Sequence, residues 1–241
     1  SINFIWGGNA NKVDALSYTL SSRIHNEKVV KRTGSYVFYY EEGNIKKSSI
    51  YKLDAPYIIE VDTTHNQIIH SELLIEPISG NKLKISKVNG DGRVYSYMKD
   101  EIYQNDGINL PKTVNYNQWI VGENYKFRIL KNHANFGDSK FSFSFMTLPE
   151  ATRRVMQSFN VAQASKVASI ISVSKNSNSL NEAVDLLNNS VDVLTETELS
   201  EKNISAVKTR KYLQDQIKSV RYKVDSAVDN LQAVQEKYNI Q

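Results

Sequence analysis

The chain has 241 residues and no cysteine. Disulfides, thiol nucleophiles and the common zinc sites are therefore excluded. No apolar run approaches the ~18 residues that a membrane helix needs, so no membrane span is expected. The stretch Ser1 to Ala10 lacks a basic start, a long apolar segment and a small-residue cleavage motif. A secretory leader is not expected there, and synthesis in the cytoplasm is. A large excess of one charge is also missing. The formal net charge is +4, split as about +3 before residue 148 and about +1 after it. Neither half is polybasic, so nucleic acid is not the expected partner.

Glycine and proline are absent from one region only. All ten glycines lie before residue 138, and of the four prolines only Pro149 comes later. Turn-rich sequence gives way to turn-free sequence near residue 147. The expected fold is α+β with segregated elements: an antiparallel β-sandwich or barrel over 1–147, then a three-helix bundle or coiled-coil module over 148–241. The first part alternates with period two. Tyr36, Phe38 and Tyr40 form one such set; Tyr95 and Tyr97, Tyr125 and Phe127, and Phe141, Phe143 and Phe145 form others. Each set lines one side of a strand. Further strands are expected near 45–53, 57–63, 67–76, 112–116 and 124–131, and a short helix near 11–22. Asn89-Gly90-Asp91-Gly92 predicts a hairpin between Leu83–Ile85 and Val94–Ser96.

Three Ser/Thr residues are each followed three positions later by Glu: Thr147 and Glu150, Ser179 and Glu182, Thr195 and Glu198. Each pair can satisfy free amides of a first helical turn. Helices are expected over about 148–173, 179–194 and 196–239. The second carries Leu180, Val184, Leu187, Val191 and Leu194. The third repeats Leu213, Ile217, Val220, Val224, Ala227, Leu231, Val234 and Tyr238 in unbroken four-three spacing, the mark of a long helix with a narrow apolar seam. At ~1.5 Å per residue it would span roughly 60–65 Å. Helix two is acidic, with Glu182, Asp185, Asp192, Glu196, Glu198 and Glu201 in or beside it. Helix three is basic in its middle, with Lys208, Arg210, Lys211, Lys218, Arg221 and Lys223. The two are expected to form an antiparallel hairpin of opposite charge.

That hairpin would cover only the start of helix three. The remainder needs helix one, which would complete the bundle, or a second copy of the chain. A parallel dimer is disfavoured. Leucine occurs once at the second core position, and Arg221, Lys223 and Lys237 form no complementary ladder. Arg210 falls on the seam one step before Leu213. It either snorkels outward where packing begins or, with Asn203 one heptad earlier, sets the register.

Candidate chemistry is sparse. His65 and His70 would point to opposite faces of a strand, poor geometry for one metal, and no HExxH motif accompanies His25 or His133. Reading Asp91-Gly92 as a calcium loop places Met98 where a bidentate Glu belongs. Gly7-Gly8 is followed by no phosphate-loop lysine. Ser142, Ser144 and Ser158 lie outside any nucleophile elbow. Trp6 and Trp119 could hold a sugar if exposed. The basic stretch 208–223 could contact an anion or an acidic partner, acidic helix two being the favoured complement. No cofactor or metal is expected. The expectation is a non-enzymatic structural or assembly protein with protein partners in a larger assembly, of the kind found among phage tail and virion components or appendages. A carbohydrate- or peptide-binding module with a helical lid or spacer is the alternative, and a single-stranded nucleic-acid binder a lower one.

Overall fold

Alternating strands, punctuated by glycine turns, form most of the first part of the chain. In the computed structural model, residues 2–5, 10–43, 46–90, 92–105, 107–163 and 170–238 are described; the side-chain description excludes 2–5, 10–12 and 238. The elements run β1 (Ile2–Ile5), α1 (Ala10–Ser21), α2 (Arg23–Thr33), β2 (Val37–Glu42), β3 (Lys47–Ile50), β4 (Tyr57–Val61) and β5 (Gln67–Ile68). There follow β6 (Glu72–Pro77), β7 (Lys82–Asn89), β8 (Arg93–Ser96), β9 (Glu101–Gln104), β10 (Thr113–Asn115), β11 (Trp119–Gly122), β12 (Tyr125–Lys131) and β13 (Lys140–Phe145). Last come α3 (Leu148–Ser158), β14 (Phe159–Gln163), β15 (Ile170–Lys175) and α4 (Leu180–Tyr238). The fold is α+β with antiparallel sheets and a long C-terminal helix.

A six-stranded sheet has the order β10-β7-β6-β13-β2-β3, and three smaller sheets have the orders β11-β12-β4, β5-β8-β9 and β1-β15-β14. Every sheet is open, so the expected barrel is not closed among the described residues. Rings from two sheets meet in the main core: Phe127 of β12 lies 5.6 Å from Phe143 and 5.5 Å from Phe145 of β13. Edge-on and tilted contacts of this kind suit the aromatic quadrupole. Phe141, Phe143, Phe145, Tyr125 and Phe127 are buried, as their alternation requires. Of Tyr36, Phe38 and Tyr40, only Phe38 and Tyr40 share a face, their rings 4.8 Å apart. Tyr36 precedes β2 and is buried, Val37 and Tyr39 point to the core, and Phe38 and Tyr40 are half-buried.

The stretch around Gly90 joins two sheets instead of closing a hairpin. β7 pairs with β6 and β10, whereas β8 pairs with β5 and β9. A Cβ on Gly90 would lie 2.2 Å from Ser71 Oγ, and one on Gly92 2.4 Å from the Asn105 carbonyl oxygen. These glycines permit close backbone approach at a crossing. Asp91 lies outside the described residues.

The helical region departs most from expectation. Thr147 caps α3 with a complete capping box and Pro149 in the first turn, as its sequence requires. The helix expected over 148–173 stops at Ser158, however, and Phe159 turns extended (φ −87°, ψ 140°). The β-branched residues Val161, Ile171 and Val173 then enter the β14–β15 pair, and Ile170 pairs with Ile5 of β1. Ile171 and Val173 form a second core with Val13, Leu16 and Leu20 of α1 and Leu187 and Leu194 of α4. The break expected between 194 and 196 is absent, and α4 runs 59 residues without interruption. No glycine or proline follows Pro149 to stop it. The expected three-helix bundle and the acid–base hairpin therefore do not form from those segments.

The chain divides into two compact units, Ser1–Leu194 and Thr195–Gln241, where a division at 147 was expected. The first turns of α4 belong to unit 1. There Leu186, Leu187, Ser190, Val193 and Leu194 are buried. Leu186 and Val193 enter the main core, while Leu187 and Leu194 enter the second. The predicted stripe is thus displaced: Leu180 and Val184 are exposed and Val191 is half-buried. A helix wedged between two cores needs a broad apolar face, which a two-per-heptad seam does not supply.

Candidate functional site

The feature of unit 2 that stands apart is the surface of α4 itself. Ile217, Val224 and Leu231 can be placed at heptad position a and Leu213, Val220, Ala227 and Val234 at d. The ladder then continues upstream through Arg210 and Asn203 at a, and through Ala206 and Leu199 at d. Leu199, Leu213, Ile217, Val220, Val224, Leu231 and Val234 are each between 49% and 59% exposed. Such values describe side chains whose inner half lies on their own helix and whose outer half meets no cover within the unit. A shallow depression along the seam is lined by Lys202, Ala206, Thr209, Arg210, Leu213 and Ile217. Small Ala206 leaves a dent there that a knob from another helix would fill. The side chain of Tyr238 lies outside the description.

Of the basic residues expected to act together, helical geometry separates two groups. Arg221 and Lys223 flank the seam at e and g, and Arg210 sits on it. Lys208, Lys211 and Lys218 fall at f and b, on the far side. All six are exposed. Three of the acidic residues expected to pair with them have cations within unit 1 instead. Glu182 lies 3.5 Å from Lys175, Asp185 3.1 Å from Lys52 and Asp192 3.5 Å from Arg32.

Unit 1 holds a polar cavity of about 960 Å³, lined by the turn after α2, β2, β3, α3 and the start of α4. The Arg154 guanidinium rests 3.7 Å from the centroid of Phe38, a close cation–π contact. Burial lowers its pKa, opposed by Glu182. Lys175 Nζ donates to Ser158 Oγ at 2.9 Å, and its side chain is only 3% exposed. Burial lowers the lysine pKa while Glu182 acts in the opposite sense. Ser158 in turn donates to the Val155 carbonyl at 2.7 Å. With its proton engaged there and a carboxylate beside the ammonium, the pair is a brace between α3 and β15. Other contacts continue the bracing. Tyr51 donates to Asp185 at 2.5 Å, while Ser179 and Asn181 donate to Asp54 at 2.5 and 2.6 Å. These links fasten the first turn of α4 to unit 1. Sequence reasoning missed them because partners such as Tyr51 and Asp185 lie far apart in the chain.

Trp119 is 37% exposed on β11. Arg128 lies 4.8 Å and Lys126 5.5 Å from its ring. Both cations are also paired, Arg128 with Glu60 and Lys126 with Asp62. A groove of about 420 Å³ beside the ring includes Gln118, Asn115 and Thr113. Trp6 lies outside the described residues. His65 contacts the Gly122 carbonyl, His70 contacts Glu150 and His25 contacts Ser190. Among the described residues no three His, Asp or Glu side chains gather as a metal site, and no helix is long and apolar enough to cross a membrane. No protein-family model and no curated protein matches the chain.

Proposed function

We propose that the chain is a non-enzymatic assembly protein whose C-terminal helix docks along partner helices as a coiled coil or intermolecular bundle. The carrying observation is the ladder from Leu199 to Val234, exposed throughout unit 2. Burying the open half of each large side chain contributes about 1–2 kcal/mol, so several layers suffice for stable association. In this reading the two sheets sharing the aromatic core make a sandwich-like body, braced to the first turns of α4. That organisation suits a component of a phage tail, a virion or an appendage, an argument by architecture alone. Light scattering on the intact chain, alone and mixed with amphipathic helical peptides, tests the proposal. Strict monomers that join no helical partner would sink it.

A second reading rests on the Trp119 groove, where an exposed indole beside carboxamides could hold a sugar ring. Glycan binding lost in Trp119→Ala would support it, and its absence across a broad glycan panel would remove it.

A further inference from the structure

The charges beside the α4 seam are not mixed. Across its flanking e and g positions from Leu199 to Tyr238, the charged residues are Lys202, Arg221, Lys223 and Lys237. The acids of the same stretch, Glu201, Asp215, Asp225, Asp229 and Glu236, fall at b or f, away from the seam. One further cation, Arg210, sits within the apolar row. Lys202, Arg210, Arg221 and Lys223 are all exposed. We infer that the occupant of this seam is an amphipathic helix of a different protein, carrying Asp or Glu at its own flanking positions and an acidic or polar residue opposite Arg210. The inference rests on the docking role proposed above and names the chemistry of its partner.

A second copy of the chain fits poorly. Flanking residues choose partner and orientation in coiled coils. No flank position between Leu199 and Tyr238 carries an acid, so neither a parallel nor an antiparallel pairing of identical seams supplies one opposite-charge flank contact. In a parallel arrangement Arg210 would also face Arg210 across the axis, placing like charges in an apolar seam. Within unit 1, Glu182, Asp185 and Asp192 have their own cations in Lys175, Lys52 and Arg32. An acid-flanked helix answers the apolar row and the basic margins together. An anionic membrane would accept the cations, but a narrow a/d stripe, widened only by Val207 and Val228 at e and with alanine at 206 and 227, is shaped for interdigitating side chains.

The test uses the full chain and two labelled probe peptides of about five heptads, with the same apolar a and d residues and either Glu or Lys at every e and g. Binding is read by fluorescence anisotropy, with light scattering on the chain alone. The expected result is at least about tenfold tighter binding of the Glu-flanked probe, shrinking as salt rises. A variant combining Lys202→Glu, Arg221→Glu and Lys223→Glu is expected to reverse the preference with unit 1 still folded. Equal binding of both probes, or a homo-oligomer that excludes both, overturns the acidic partner and leaves the docking role standing. A monomer that binds neither probe overturns both. Tighter binding to phosphatidylserine vesicles or duplex DNA than to the Glu-flanked peptide also overturns the inference.

Discussion

Replacing Gly90 by alanine tests how the two sheets cross. Gly90 has φ +135°, a backbone region nearly closed to residues with a side chain. Its Cβ would lie 2.2 Å from Ser71 Oγ and 2.7 Å from Ser71 Cα. Ser71 is fully buried, and a backbone atom cannot rotate away. Backbone strain of about 1–3 kcal/mol adds to overpacking of similar size. Gly90→Ala is therefore expected to destabilise unit 1 by about 3–5 kcal/mol. For a unit of this size that lowers Tm by roughly 8–15 °C. Gly137→Ala is the control. Gly137 has φ +52°, but nothing lies within 4 Å of its Cβ position. Left-handed strain alone costs about 1–2 kcal/mol there. The assay is thermal unfolding followed by near-ultraviolet circular dichroism, which reports the packed tyrosines. If Gly90→Ala melts at or above Gly137→Ala, the close crossing at Ser71 is wrong.

Ile217→Asp removes one layer of the α4 seam. It is expected to weaken helix association more than about 100-fold while leaving the melting of unit 1 within about 1 °C; an unchanged sedimentation profile would count against the seam. Tyr51→Phe deletes the 2.5 Å bond to Asp185, which keeps Lys52 at 3.1 Å. A loss of about 1–2 kcal/mol in urea unfolding is expected, and no loss would mean the bond braces nothing. His25 is buried against Ser190, and burial followed by the nearby Lys28 lowers its pKa from 6.5 to about 4. The fold accepts the neutral ring, so its contribution is complete above about pH 6.5 and declines as pH falls toward 4. The decline is on the order of 2 kcal/mol. Urea titrations at pH 7 and pH 5 should show it as a lower unfolding free energy at pH 5, and His25→Gln should flatten the difference; equal unfolding free energies at the two pH values would refute the assignment.

The elements that were legible from the sequence are those whose signals are local. The α3 start was readable because Thr147 and Glu150 complete the capping box within one turn, with Pro149 in that turn. The Phe141, Phe143 and Phe145 row was readable because alternation fixes which side each ring takes. Unbroken four-three spacing from Leu213 onward made the long helix and its seam readable, whereas the equally Gly- and Pro-free stretch after Ser158 forms β14 and β15. The capping pattern at Thr195 and Glu198 misled, because the same residue types are tolerated inside a helix whose neighbouring turns continue it.

Tertiary structure alone decided the rest. Alternation and propensity alone do not tell Val161, Ile171 and Val173 from helical residues; they pair in β14 and β15, where Ile171 and Val173 pack with α1. The acidic turns of α4 were expected to pair with its basic ones. They meet Lys52, Lys175 and Arg32 instead, residues whose proximity depends on the folded sheets. Gly90 could be read as a turn former, but not as the point where one sheet passes another. Periodicity and capping act over a few residues and can be read without knowing the rest of the fold. Pairing, burial and charge partnership depend on segments far apart in sequence, and only the assembled chain brings those segments within reach.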